Sequence, residues 1–256
     1  MAQIPSPAGS GQHRSTLRRR LRVAALALLF LGCGGAWGGT ARTGALDAAL
    51  AALARHEYAT ALQTIEPLAR QGNANAQAVL GQCYALGQGV PVDAAQAVQW
   101  YRRAAVQGHV AAQTNLGLAY DTGQGIEQDQ AQAVRWYSLA AAQGDAVAQT
   151  NLALMYDTGA GVAQSATQAL RFFRLAAAQG NATAQFNLGL VYGTGNSAVD
   201  ADPVRAYLWF TLAAQAGEPN ATRNRRVAEA RLTPEQLQQA QQLVLACRAR
   251  KLQDCD

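Results

Sequence analysis

The chain has 256 residues, half of them apolar, and a formal net charge of +5. Residues 1–38 hold Arg14, Arg18, Arg19, Arg20 and Arg22 and no acid, so the rest of the chain carries +5 − 5 = 0. That balance excludes the basic footprint on which nucleic-acid binding depends.

The N-terminal segment 1–38 combines those arginines with an apolar core from Val23 to Leu31 and then Ala36-Trp37-Gly38, a small-x-small cleavage pattern. Together they predict a secretory signal peptide, with a core too short for an ordinary membrane span. An uncleaved N-terminal anchor is the alternative. Leu31-Gly32-Cys33 opens a second processing route, in which Cys33 becomes a lipidated first residue, although Phe30 stands where such signals usually carry Leu. Arg18-Arg19-Arg20-Leu21 is weakly similar to a twin-arginine signal. The expected location is periplasmic or secreted, with membrane contact only through the signal or a lipid on Cys33.

A 36-residue unit then recurs from Gly72, Gly108, Gly144 and Gly180, giving units 72–107, 108–143, 144–179 and 180–216, the last with one inserted residue before Asp202. A fixed period of this length marks a solenoid whose units bury their apolar faces only by stacking. Each unit reads as two helices, because apolar positions such as Ala76, Leu80 and Tyr84, then Ala97, Tyr101 and Ala104, recur at helical spacing. Asn73, His109, Asp145 and Asn181 stand where the first helix needs an N-cap, and Asp93, Asp129, Ser165 and Asp202 where the second does. Gly87, Gly123, Gly159 and Gly195 end the first helix, and Gly108, Gly144, Gly180 and Gly217 the second. Trp100, Trp136, Phe172 and Trp209 are expected to fill the space between units. Residues 218–256 hold two further helical stretches, about 219–230 and 233–250, read as capping helices. Thr233-Pro234-Glu235-Gln236 gives the last one a strong start signal.

The pattern A-Q-x-N-L-G-x-x-Y-x-x-G-x-G followed by A-x-x-W-Y-x-x-A-A-x-x-G closely resembles the Sel-one-like repeat (SLR), a cousin of the tetratricopeptide repeat. The resemblance covers Gly72 to Gly217; residues 39–71 are similar to a degenerate leading hairpin without the glycine loop. It implies an all-α protein, an α-α superhelix built as a right-handed solenoid of helix hairpins, whose first helices line a concave face. On that face Asn115, Asn151 and Asn187 form one column, Leu118, Leu154 and Leu190 a second, and Thr114, Thr150 and Phe186 a third. Side-chain amides beside an apolar strip suit an extended peptide, since Asn both donates to and accepts from a backbone. Asn before Leu-Gly is also part of the repeat pattern, so bonding between neighbouring helices is the competing role.

Catalytic and metal constellations mostly fail. Asp121-Thr122-Gly123 and Asp157-Thr158-Gly159 reproduce the aspartic-protease tripeptide, but here it ends a helix and obeys the repeat. The three histidines, His13, His56 and His109, have no metal-ligand spacing with one another or with a cysteine. The serine chemistry described for some β-lactamase-like SLR relatives needs S-x-x-K and K-T-G, and Lys251 is the single lysine. Asn181-Ala182-Thr183 and Asn220-Ala221-Thr222 fit a glycosylation acceptor but fall at helix starts. Cys83 occupies the slot of Ala119, Met155 and Val191 and reads as a buried thiol, whereas Cys247 and Cys255 span the expected end of the last helix and can form a disulfide. The expectation is a non-catalytic scaffold for a protein or extended-peptide partner, with no cofactor, no metal and no nucleic acid. An envelope hydrolase or carbohydrate-associated accessory factor is the alternative.

Overall fold

The computed structural model describes residues 42–255. The signal peptide expected at 1–38, and the cleavage after Gly38 and lipidation at Cys33 that it would entail, lie outside the described residues. Within them, twelve helices follow one another: α1 (Arg42–Ala54), α2 (Tyr58–Arg70), α3 (Ala74–Leu86), α4 (Ala94–Val106), α5 (Val110–Thr122), α6 (Gln130–Ala142), α7 (Ala146–Thr158), α8 (Ala166–Ala177), α9 (Ala182–Thr194), α10 (Pro203–Gln215), α11 (Ala221–Glu229) and α12 (Pro234–Ala249). No strand occurs among the described residues. From α2 to α11 each helix packs on the next, so α3–α4, α5–α6, α7–α8 and α9–α10 form four stacked hairpins of an α-α superhelix.

Local chemistry sets the helix ends. The side chains of Asn73, His109, Asp145 and Asn181 accept from the backbone N–H three residues on, at Ala76, Ala112, Ala148 and Ala184. Asp93, Asp129, Ser165 and Asp202 do the same for the second helices. The loop between the helices needs glycine for a further reason. Gly125 and Gly161 hold φ of +74° and +70°, and a Cβ on either would strike the backbone of the preceding unit at Ala94 or Gln130. The fourth loop differs because of its inserted residue. There Asn196 Oδ1 accepts from the N–H groups of Ala198 and Val199, and the Asn196 N–H donates to the Val199 carbonyl.

The hairpins close through small-against-aromatic contacts. A Cβ added to Gly81 or Gly117 would lie 2.8 Å from the ring of Tyr101 or Tyr137, and one on Gly189 would lie 2.6 Å from Phe210. Of the four aromatics expected between units, Trp100 and Trp209 are buried, and the second and third units differ. Tyr137 is fully buried, whereas Trp136 and Phe172 are half-buried at the seams between units. Adjacent residues on a helix point about 100° apart, so only one of each pair reaches the middle of its hairpin. At the C-terminus Thr233 and Gln236 form a reciprocal capping box, and α12 packs back on α10. Cys247 and Cys255 are joined by a disulfide, with their Cα atoms 5.0 Å apart.

Candidate partner-binding groove

On the first helix of each hairpin, four positions at i, i+4, i+7 and i+11 escape full burial. They are Asn75, Val79, Gln82 and Leu86 on α3, then Ala111, Asn115, Leu118 and Thr122 on α5. Val147, Asn151, Leu154 and Thr158 continue the stripe on α7, and Thr183, Asn187, Leu190 and Thr194 on α9. Both neighbouring second helices pack against each of these first helices. The stripe is therefore one continuous open surface, with an amide row beside a leucine row.

The two rows differ from unit to unit. Asn187 Nδ2 donates to the Thr183 carbonyl at 2.7 Å, a bond within its own helix. Asn115 and Asn151 make no side-chain hydrogen bond within the described residues. Leu118 and Leu154 lean partly on the core, and Leu190 is 37% exposed. The third expected column does not belong to the groove. Phe186 is buried against Phe210, with ring centroids 5.6 Å apart, and Thr114 and Thr150 are buried as well. Thr114 Oγ1 donates to Asp145 Oδ1 at 3.1 Å, across to the start of the next unit. This column lies one residue before the asparagines, and the rotation that separates them turns it off the stripe, Thr114 toward the next unit and Phe186 toward α10.

A buried amide ladder runs beneath the stripe. Gln77, Gln113, Gln149 and Gln185 are buried, and their Nε2 groups donate to the carbonyls of Ala69, Ala105, Ala141 and Ala177 on the preceding second helix. Their Oε1 atoms accept from Gln107, Gln143 and Gln179 in the first three units, at 2.7, 2.8 and 2.8 Å. One glutamine thus ties three helices together. The sequence signal was the recurring Ala-Gln at the head of all four units and the Gln-Gly at the tail of the first three.

The remaining candidates resolve into structural roles. Thr122 and Thr158 of the Asp-Thr-Gly tripeptides donate back to the carbonyls of Leu118 and Leu154, and Gly123 and Gly159 close their helices in left-handed conformation. Cys83 is buried, and that burial pushes its thiol up to about 11. Among the described residues no three His, Cys, Asp or Glu side chains gather to hold a metal ion. No helix there is long and apolar enough to cross a membrane.

A solenoid of helix hairpins with a part-exposed amide-leucine stripe defines a helical-repeat protein. The sequence matches the Sel1 repeat over residues 74–109, 110–145, 146–181 and 182–218, and the chain belongs to the Sel1 repeat family. Among solved structures it is similar to a protective antigen present in uropathogenic Escherichia coli strains that displays an SLR fold. The two share 33% identity at a TM-score of 0.75, over 84% of this chain and 47% of the antigen, so this chain spans about half of the antigen's length. It is also similar to a Sel1 repeat protein from Oxalobacter formigenes, with 34% identity and a TM-score of 0.65 over 69% of this chain and 70% of that one. No curated protein matches the sequence.

Proposed function

We propose that this protein is an exported, non-catalytic scaffold that holds an extended segment of a partner protein along the groove of its first helices. The observation that carries the reading is the stripe itself. Asn115 and Asn151 present amides with no partner of their own, in register with Leu118 and Leu154, at the repeat spacing of the hairpins. A peptide backbone satisfies both valences of such an amide, while its alternate side chains cover the leucines. Sel1 repeat proteins are in general non-catalytic and mediate protein–protein interaction, which agrees with a surface that gathers amides and leucines rather than acids, bases or nucleophiles.

The test pairs binding with folding. A partner isolated from envelope extract is titrated by calorimetry against the parent chain and the Asn115→Ala, Asn151→Ala, Asn187→Ala triple variant. Loss of about 1 kcal/mol per desolvated contact is expected, with an almost unchanged urea midpoint. If the triple variant unfolds as readily as a core truncation, the asparagines are structural and the groove reading goes with them. The export part rests on the pattern of residues 1–38. Intact mass of envelope-fraction protein should correspond to a start near Gly39 or to a lipidated Cys33, and full-length chain recovered from cytosol would contradict it.

A further inference from the structure

The series of first helices does not stop at the fourth unit. α11 follows Gly217 as α9 follows Gly180, and the offset 217 − 180 = 37 lays Ala221 on Ala184, both at 0% exposure. Arg231 Nη1 donates to the Gly193 carbonyl at 3.3 Å, which fixes the end of α11 beside the end of α9. The same offset carries Asn187, Leu190 and Thr194 onto Asn224, Val227 and Arg231. The open stripe therefore runs on to α11, where Val227 is 50% exposed.

Its chemistry changes there. Arg223 and Arg226 stand where α9 has Phe186 and Gly189, the side that in α9 packs on Phe210 of α10. With Arg231 they surround Pro219, Val227 and Ala230 in an open cleft of about 700 Å³. None of the three pairs with a carboxylate among the described residues. The positive charge is local: residues 39–217 carry 9 − 11 = −2, and residues 218–256 carry 7 − 5 = +2.

Building on the groove reading above, we propose that the segment bound in the groove is an acidic peptide of a partner protein. Its neutral part lies along α3 to α9, and its Asp or Glu side chains lie over Arg223, Arg226 and Arg231. Guanidinium groups bind carboxylates in fixed, two-pronged geometry, and three of them around an apolar floor fix the direction in which a peptide enters. The chain's own residues 1–38, with five arginines and no acid, lack the charge that this end would select. A polyanionic surface or nucleic acid is disfavoured because the charge is confined to one end of a body whose other units are neutral to acidic.

Random short peptides displayed on phage are selected on the full chain, and the hits are titrated as labelled free peptides. The expected hits carry a run of Asp or Glu at one end. Their affinity falls at least about tenfold on Arg223→Glu with Arg226→Glu and recovers on that variant when the acids are changed to Lys, which also shows that the variant is folded. Hits that weaken on Asn151→Ala with Leu154→Ala but ignore the arginine changes overturn the acidic end and leave the groove standing. Absence of hits sensitive to either pair overturns both. Anionic phosphatidylglycerol vesicles or poly-uridine bound with the same arginine dependence, and more tightly than the peptides, would assign this end to a polyanion instead.

Discussion

Gln149 shows how much one side chain can hold in this array. It donates to Ala141 in the second unit and accepts from Gln179 at the end of its own, so its loss would break two bonds that join three helices. In the fourth unit the chain reads Gln215-Ala216-Gly217 where the others carry Gln-Gly, so Ala216 takes the place of Gln107, Gln143 and Gln179. Gln185 Oε1 is left buried without a partner, a vacancy in the ladder that the other three units fill. Ala216 is a helix C-cap at φ −82° and ψ 3°, close to the −85° and 4° of Gln107, and it is exposed, so a glutamine fits there without strain. Ala216→Gln should stabilise the protein by about 1 kcal/mol in urea denaturation. An unchanged midpoint would show that water already serves Gln185. His109 is a second residue whose chemistry the repeat constrains. Its Nδ1 accepts from the Ala112 N–H at 3.2 Å, which requires the neutral ring, and burial holds its pKa below the ordinary 6.5. A depressed folded value means that the cap contributes fully above pH 6.5 and is lost as pH falls through the folded value. Stability measured from pH 8 downward should therefore drop below about pH 6.5, by about 1 kcal/mol for one cap. His109→Asn, the residue found at Asn73 and Asn181, should remove that component; equal acid loss in both proteins would sink the assignment.

At the scale of the helix, the caps and the glycine ends were legible because each is decided by chemistry within a few residues and then repeated four times. The depth of the aromatics was not. Trp136 and Tyr137 are neighbours, equally apolar by composition, and only the packing shows that Tyr137 faces Gly117 while Trp136 closes the seam with the unit before. Tyr137→Ala should cost about 3 to 5 kcal/mol, and Trp136→Ala distinctly less. A denaturant series in which Trp136 is the costlier truncation would reverse the assignment. The same limit applies to the groove. The asparagine and leucine rows were readable from their register, but Phe186 was placed with them because the threonines at its register, Thr114 and Thr150, are small and polar and gave no sign that this column is buried. Its partner, Phe210, lies in the following helix, and nothing local announces that contact. The glutamine ladder escaped for a related reason, since its partners lie 30 residues apart in sequence.

Over the whole molecule, a solenoid's stability is close to a sum of unit and interface contributions, so its two ends need not open alike. The N-terminal end is the less secured. Glu57 makes no side-chain cap for α2, Pro67 lies inside that helix, and no cross-helix glutamine bond ties α1 to α2. The C-terminal end is fastened in several ways. One core runs from Ala153 through α8, α9 and α10 to Val244 and Cys247, the disulfide closes the chain after α12, and Gln253 donates to the Ala178 carbonyl at 3.3 Å. Opening should therefore start at α1 and α2 and move toward the C-terminus, with amides of α8 to α10 exchanging last. Native-state hydrogen exchange at low denaturant reads that order directly. Reducing the Cys247–Cys255 bond should speed exchange in α12, and leave α1 and α2 unaffected, because each unit reports only to its neighbours. If α1 and α2 exchange together with α8 to α10 at every denaturant concentration, the array unfolds as one cooperative block and the graded picture fails.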